Sequence, residues 1–137
     1  MKKVLFVCIE NSNRSQMAQA FAQIYGQEKV QAFSAGSRPS GRINPRAVKA
    51  MQELGYDLSV HTSKSLDAIR SEAPFDVVVS MGCGDACPWM PARQHIDWSI
   101  PDPRNMDSLR FNEVRDQIGR LVRALLDSDA FLTNIPG

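Results

Sequence analysis

The sequence predicts an α/β fold: a three-layer, doubly wound, four-stranded parallel sheet with helices on both faces. Two short, continuous apolar runs, "KVLFVC" at residues 3–8 and "FDVVVSMG" at 75–82, have strand length and no polar alternation, as strands buried on both faces do. Segments of helical period separate the strand candidates, and strands alternating with helices imply a parallel sheet. The ligand crevice of such a sheet lies at the carboxyl ends of its strands. Cys8 and Cys83 both fall there.

After the first strand, Met17, Phe21, Ile24 and Tyr25 repeat at near-helical spacing, which predicts a helix over residues 15–25. "KVQAFSA" at 29–35 alternates as a second strand with Val30 and Phe33 inside, and the loop "SRPSGRINP" follows Gly36. Pro45 suits the first turn of a helix that turns Ala47, Val48, Met51 and Leu54 inward and stops at Gly55. A short helix is expected near Ser65. The proline-rich stretch from 83 to 107 reads as a long irregular segment with one short strand at 97–100. From Asp107 or Ser108 to Asp127, the residues Phe111, Val114, Ile118, Leu121, Val122 and Leu125 form one stripe, so the last element is a long amphipathic helix. Residues 128–137 are expected to form a flexible tail.

A chain of 137 residues fits a single domain spanning residues 1–137. Lys plus Arg number 16 against 15 Asp plus Glu, which gives no electrostatic footprint for nucleic acid or an anionic membrane. The start "MKKVLFVCIEN" is too soon polar for a signal peptide, and no window has the length of a membrane span, so a cytoplasmic location is expected. Three cysteines in a reducing compartment do not make a disulfide framework. Packing, metal binding and chemistry remain.

The turn from Cys8 to Arg14 favours chemistry. If a buried strand ends at Cys8 and a helix starts near Arg14 or Ser15, the intervening N–H groups have no intrahelical partners and converge on one concavity, which suits a tetrahedral oxyanion. Arg14 closes the ring with a two-point contact, and Cys8 lies beneath the anion. The positive field of such a loop favours the thiolate, and Ser12 or Ser15 can donate a hydrogen bond to it. The bland alternative makes Cys8 a buried strand residue and Arg14 a solvated helix start.

The stretch "CIENSNRS", followed by "QMAQAF", resembles the phosphate-binding loop of the low-molecular-weight protein tyrosine phosphatase fold, and more narrowly that of the thiol-dependent arsenate reductases built on it. "SAG" at 34–36, "NPRAVKAMQELGYDLSVHTSK" at 44–64, "DVVVSMGCGDACP" at 76–88 and "DWSIPDP" at 97–103 extend the likeness over nearly the whole chain. The resemblance implies Cys8 as nucleophile, Arg14 as oxyanion clamp, Asn11 as the residue holding the loop in shape and Ser15 as the partner of the thiolate. Ile9, Glu10, Ser12 and Asn13 complete the loop. Where Glu10 stands the family often has a small or basic residue, and where Asn13 stands a second cysteine; a carboxylate facing arsenate would repel it, so Glu10 is expected to point outward. Some relatives hold potassium near this loop, and the matching positions here are Gln19 and Lys64; the Lys64 ammonium is expected to replace the ion.

Displacing an oxygen from such an anion requires a proton donor on the side opposite the thiolate. Asp102, between two prolines, is the general acid by the resemblance and an ordinary turn residue on the alternative; Asp97 and Asp107 are weaker candidates. In a reductase, the resemblance implies that Cys83 attacks Cys8 after arsenate has bound and that Cys87 resolves the bridge by thiol–disulfide exchange. An external thiol reductant is implied: thioredoxin, or glutaredoxin with glutathione or mycothiol. The pair is open to two other readings, half of a zinc site with His61 or His95, and two inert loop cysteines. No resident metal or tightly bound cofactor is expected. His61 and His95 read as polar loop residues, Trp89 and Trp98 as packing under the long loop, and Met17 and Met51 as core. Arsenate reduction serving arsenic detoxification is the activity expected. Phosphomonoester hydrolysis, which would leave Cys83 and Cys87 idle, is the alternative enzyme; an oxyanion sensor without turnover is the non-enzymatic one.

Overall fold

The computed structural model describes residues 1–82 and 89–128. Cys83, Cys87 and all of the expected tail except Ser128 lie outside the described residues. Strand β1 (Lys2–Cys8) leads into helix α1 (Arg14–Gly26), followed by β2 (Val30–Gly36), α2 (Pro45–Gln52), β3 (Phe75–Ser80), β4 (Ala92–Asp97) and α3 (Ser108–Leu126). Short 3₁₀ turns at Leu58–Val60 and Leu66–Glu72 bridge α2 to β3. The strands form one sheet in the order β2-β1-β3-β4, every pair parallel. The chain winds outward through β2, returns past β1 and continues to β3, so the order reverses at β1. Its carboxyl end, Cys8, is at the crevice that such a reversal opens.

Strand β1 is apolar throughout because it is covered on both sides. Val4, Phe6 and Cys8 join one buried cluster with Met17, Phe21, Met51 and Ile118 from the three α-helices. Leu5 and Val7, one residue out of phase, join a second cluster with Leu66, Ile69, Phe75 and Met90. The two-residue period of a strand makes this division. Buried side chains of this size each stabilise the fold by roughly 1.5–3 kcal/mol. On the second face the cover is the 3₁₀ segment Leu66–Glu72, capped by the Ser65 side chain at Ala68 N.

Four expectations are corrected. The fourth strand lies at 92–97, in register with β3 from Phe75↔Ala92 to Ser80↔Asp97, and not at 97–100. Its sequence, ARQHID, is polar because it is an edge strand with alternate residues exposed. Leu54 is 46% exposed, because α2 ends at Gln52 and the chain turns away at Gly55, whose φ is +84°. Trp89 is 69% exposed and lies over the His95 ring, with centroids 5.3 Å apart, whereas Trp98 packs against Phe6 and the core as expected. His95 is a strand residue whose Nε2 lies 2.7 Å from the Met90 carbonyl oxygen. Met17 and Met51 are fully buried.

Candidate active site

The anion loop follows β1 directly. Cys8 is buried at the strand end, residues 9–13 turn, and Arg14 opens α1. The carbonyl oxygens of this turn point away from its centre: Cys8 O accepts from Ser37 N, Ile9 O from Arg38 N, Glu10 O from Ser40 N and Ser63 Oγ, and Ser12 O from Asn44 N. In a trans peptide the following N–H lies opposite its carbonyl, so these bonds turn the amides of the loop toward the pocket. The backbone N–H groups of segment 37–44 therefore shape the anion cradle from outside.

Asn11 holds the loop from within. Its φ is +52°, a left-handed conformation that asparagine tolerates better than most residues. Its Oδ1 accepts from Lys64 N and from Gln16 Nε2, both at 2.9 Å, and its Nδ2 donates to Ser15 Oγ at 2.8 Å. Ser15 Oγ lies 2.9 Å from Cys8 Sγ. With the Asn11 amide already donating to that oxygen, the serine proton is free for the sulfur, and the hydroxyl stabilises a thiolate by donating to it. Gly36 makes this packing possible: a Cβ there would stand 2.5 Å from Ile9 O and 3.0 Å from Asn11 N.

Arg14 is buried, and its Nη1 donates to Ile100 O at 3.0 Å. Its Nη2 stands 4.0 Å from Asp102 Oδ2, which places the two at one pocket. Asp102 is half exposed, and its Oδ1 accepts from Arg104 N at 3.0 Å, a local turn that fixes the side chain. The cavity of about 300 Å³ between them is lined by Cys8, Ile9, Glu10, Ser12, Asn13 and Arg14 on the loop side. Arg38, Ser40, Asp102 and Arg104 line the other walls. A thiol at the floor, a buried guanidinium at the side and a carboxyl group opposite can hold a tetrahedral oxyanion, attack it and protonate the group that departs.

The structure thus brings together Cys8, Arg14, Asp102 and the loop residues 9–13 and 15. Glu10 lines the cavity, and its carboxylate is held at the rim by Arg104 Nη1 at 2.7 Å. Asn13 is buried with no hydrogen bond to its Oδ1 and does not cap α1 through its side chain. Asp107 caps α3 through Arg110 N, and Asp97 Oδ1 accepts from Ser80 Oγ; neither lines this cavity. Cys83 and Cys87 fall outside the described residues.

Sequence reasoning missed Gln16, Arg38, Ser40 and Arg104. Gln16 is fully buried, and its Nε2 donates to Asn11 O, Asn11 Oδ1 and Thr62 O. Those three acceptors fix the amide, so its Oε1 faces His61 Nδ1 at 2.9 Å and that nitrogen carries the proton. The other ring nitrogen, Nε2, lies 2.6 Å from Tyr56 Oη, which also meets Gln23 Oε1. Burial, with help from the Lys64 charge and against Asp57, lowers the His61 pKa to about 4, so the ring is neutral at pH 7. The available signal was an amide side chain in the first turn of a helix otherwise rich in alanine on its buried face. Lys64 Nζ donates to Thr62 O at 2.8 Å, and burial lowers its pKa. Gln19 accepts from Ser34 Oγ at 2.6 Å and donates to Ala32 O.

Among the described residues no helix is long and apolar enough to cross a membrane, and no group of three His, Cys, Asp or Glu residues could hold a metal ion. Residues 3–133 match the family model described as low molecular weight phosphotyrosine protein phosphatase. A glutaredoxin arsenate reductase of Synechocystis sp. is 39% identical over 129 residues, covering 92% of this chain and 97% of that protein. Among solved structures, an arsenate reductase in the phosphate binding state superposes with a TM-score of 0.83 at 39% identity, over 92% of this chain and 97% of that one. A thioredoxin-dependent arsenate reductase of Corynebacterium glutamicum superposes with a TM-score of 0.79 at 33% identity, over 98% of this chain and 64% of that one. The loop built on Cys8 is therefore no isolated coincidence of residues: the chain belongs to the low molecular weight phosphotyrosine protein phosphatase family, where the relatives it resembles at these identities are arsenate reductases.

Proposed function

We propose that the protein is an arsenate reductase that uses Cys8 as its nucleophile. The observation that carries the reading is the arrangement of Cys8 Sγ on Ser15 Oγ, beneath a loop whose amides face the pocket, with Arg14 at the wall and Asp102 opposite. The relatives named as arsenate reductases support the choice of oxyanion. The Cys8 thiolate attacks arsenic, forming an S–As bond as one As–O bond breaks. For monoanionic arsenate, Asp102 gives one proton to the departing hydroxyl, which leaves as water. Arg14 and the loop amides hold the oxygens that carry the developing charge.

A second thiolate then attacks the Cys8 sulfur. A disulfide forms, the S–As electron pair passes to arsenic, As(V) becomes As(III), and arsenite is released. We assign this role to Cys83 and the resolving role to Cys87, on the resemblance of "GCGDACP" to the reductases. An external dithiol of the thioredoxin or glutaredoxin type restores the thiols, in keeping with the names of the Synechocystis and Corynebacterium relatives. Lys64, bonded to Thr62 O beside the loop, takes the place of an inorganic cation; activation by potassium over sodium would count against that.

One specific observation favours a second reading. Cys8, Arg14 and Asp102 are also what a phosphatase needs, and the family model is that of phosphotyrosine phosphatases. The deciding experiment measures arsenate-dependent thiol consumption with thioredoxin and glutaredoxin systems, beside aryl phosphate hydrolysis. It is run on the full chain, on Cys83→Ser and on Cys87→Ser. Arsenate turnover lost in both variants supports the relay. Turnover intact in both removes it, and turnover of aryl phosphate alone makes the protein a phosphatase.

A further inference from the structure

The rim of the anion pocket carries an ion pair that the reaction as derived does not use. Glu10 Oε2 and Arg104 Nη1 are 2.7 Å apart, one on the anion loop and the other two residues past Asp102. The pair therefore joins the wall that carries the nucleophile to the wall that carries the acid. Both residues line the cavity, and each side chain is partly exposed. The Arg104 N–H also holds Asp102 Oδ1, and Arg46 donates to the Arg104 carbonyl from α2, so the pair braces the acid loop alongside Arg46.

In-line displacement puts the leaving group opposite Cys8, on the side of Asp102. For arsenate that group departs as water, small enough to pass the ion pair. For a phosphomonoester it is an organic alcohol that must pass out of the mouth beside Asp102, where Glu10 and Arg104 meet. We propose that the Glu10–Arg104 pair is a specificity bar that admits small inorganic oxyanions and excludes phosphomonoesters, while holding the Asp102 loop in place. This rests on the arsenate-reductase reading.

The test compares the full chain with Glu10→Ala, Arg104→Ala and the reciprocal swap of Glu10→Arg with Arg104→Glu. Each is assayed for arsenate-dependent thiol consumption and for hydrolysis of phenyl and naphthyl phosphate. Opening the bar raises kcat/KM for the aryl phosphates about tenfold, more for naphthyl than for phenyl, the scale of a specificity contact. It lowers arsenate turnover about threefold, since the acid loop loses its strut. The swap returns both values toward those of the parent. Binding of phenylphosphonate relative to inorganic phosphate, read by calorimetry, moves in the same direction as ester turnover and would not move if the pair served only stability. Parallel changes in arsenate and ester turnover, or a swap that fails to restore selectivity, overturn the bar and leave the reductase reading standing. A parent chain that consumes no thiol with arsenate overturns the reading and the bar with it.

Discussion

Residues 8–15 and residues 101–106 face each other across the anion pocket, the first almost wholly buried and cross-braced by Asn11, Gln16 and the 37–44 segment, the second mostly exposed. The second wall is held by the Arg104 contacts to Asp102 and Glu10 and, from α2, by Arg46, whose guanidinium donates to Arg104 O and Met106 O. The difference teaches how one pocket divides its work. The wall that must stabilise charge is preorganised, because donors that reorient during the reaction lose their advantage. The wall proposed to deliver the proton is the more exposed one, and its surface ion pair, Glu10 with Arg104, is of a kind worth little to stability.

The sharpest way to break the comparison is Cys8→Ser. It should lower turnover of arsenate and of aryl phosphate by at least about 10⁴-fold, as loss of a nucleophile does, with inorganic phosphate binding retained by calorimetry. Asp102→Asn is next: turnover falls about 10²- to 10⁴-fold, while the urea midpoint stays near that of the parent because the asparagine oxygen can still accept from Arg104 N. Asn11→Ala probes the opposite wall and should cost stability as well as rate. It strips partners from Lys64 N, Gln16 Nε2 and Ser15 Oγ in a buried site, about 2 kcal/mol by urea denaturation. If Asp102→Asn destabilises the fold as much as Asn11→Ala, the division between the walls is wrong.

The smallest effect concerns pH. The folded His61 has a pKa of about 4 against 6.5 unfolded, so between those values the unfolded chain binds the extra proton. Stability is full above pH 6.5 and falls as the pH drops toward 4, by about 1–2 kcal/mol once solvent at the half-buried ring is allowed for. Denaturant midpoints at pH 7 and pH 4.5 should differ by less in His61→Gln. An equal drop in both proteins would remove His61 from the bracing of the loop.

Much of this was legible in order along the chain. "KVLFVC" announced a strand buried on both faces, and the phase of Val4, Phe6 and Cys8 against Leu5 and Val7 bears that out. The loop from Cys8 to Ser15 was read from the residue types that an oxyanion cradle needs at a strand end, whereas Asp102, between its prolines, was singled out by the family resemblance. Strand β4 was misplaced, since an edge strand needs few apolar residues and ARQHID carries only one large one. Arg38, Arg104 and the partners of Gln16 were out of reach for another reason. Their contacts span distant parts of the chain, from Gln16 to Thr62 and from Glu10 to Arg104, and no local period encodes such pairings. Glu10, expected to point outward, instead lines the cavity with its carboxylate on Arg104, and that partner was what the sequence concealed.

Gly82 sets a limit on how this pocket can be re-engineered. Its φ is +82°, and a Cβ there would stand 2.4 Å from Arg14 Nη1, the nitrogen that reaches Ile100 O. Any other residue would both strain the backbone and push the guanidinium from its seat. A mutant library drawn only from cavity-lining positions would omit this site, although it decides where the clamp rests. Reshaping the anion specificity therefore means treating residue 82 as a fixed boundary of the design and spending diversity on the Glu10 and Arg104 side.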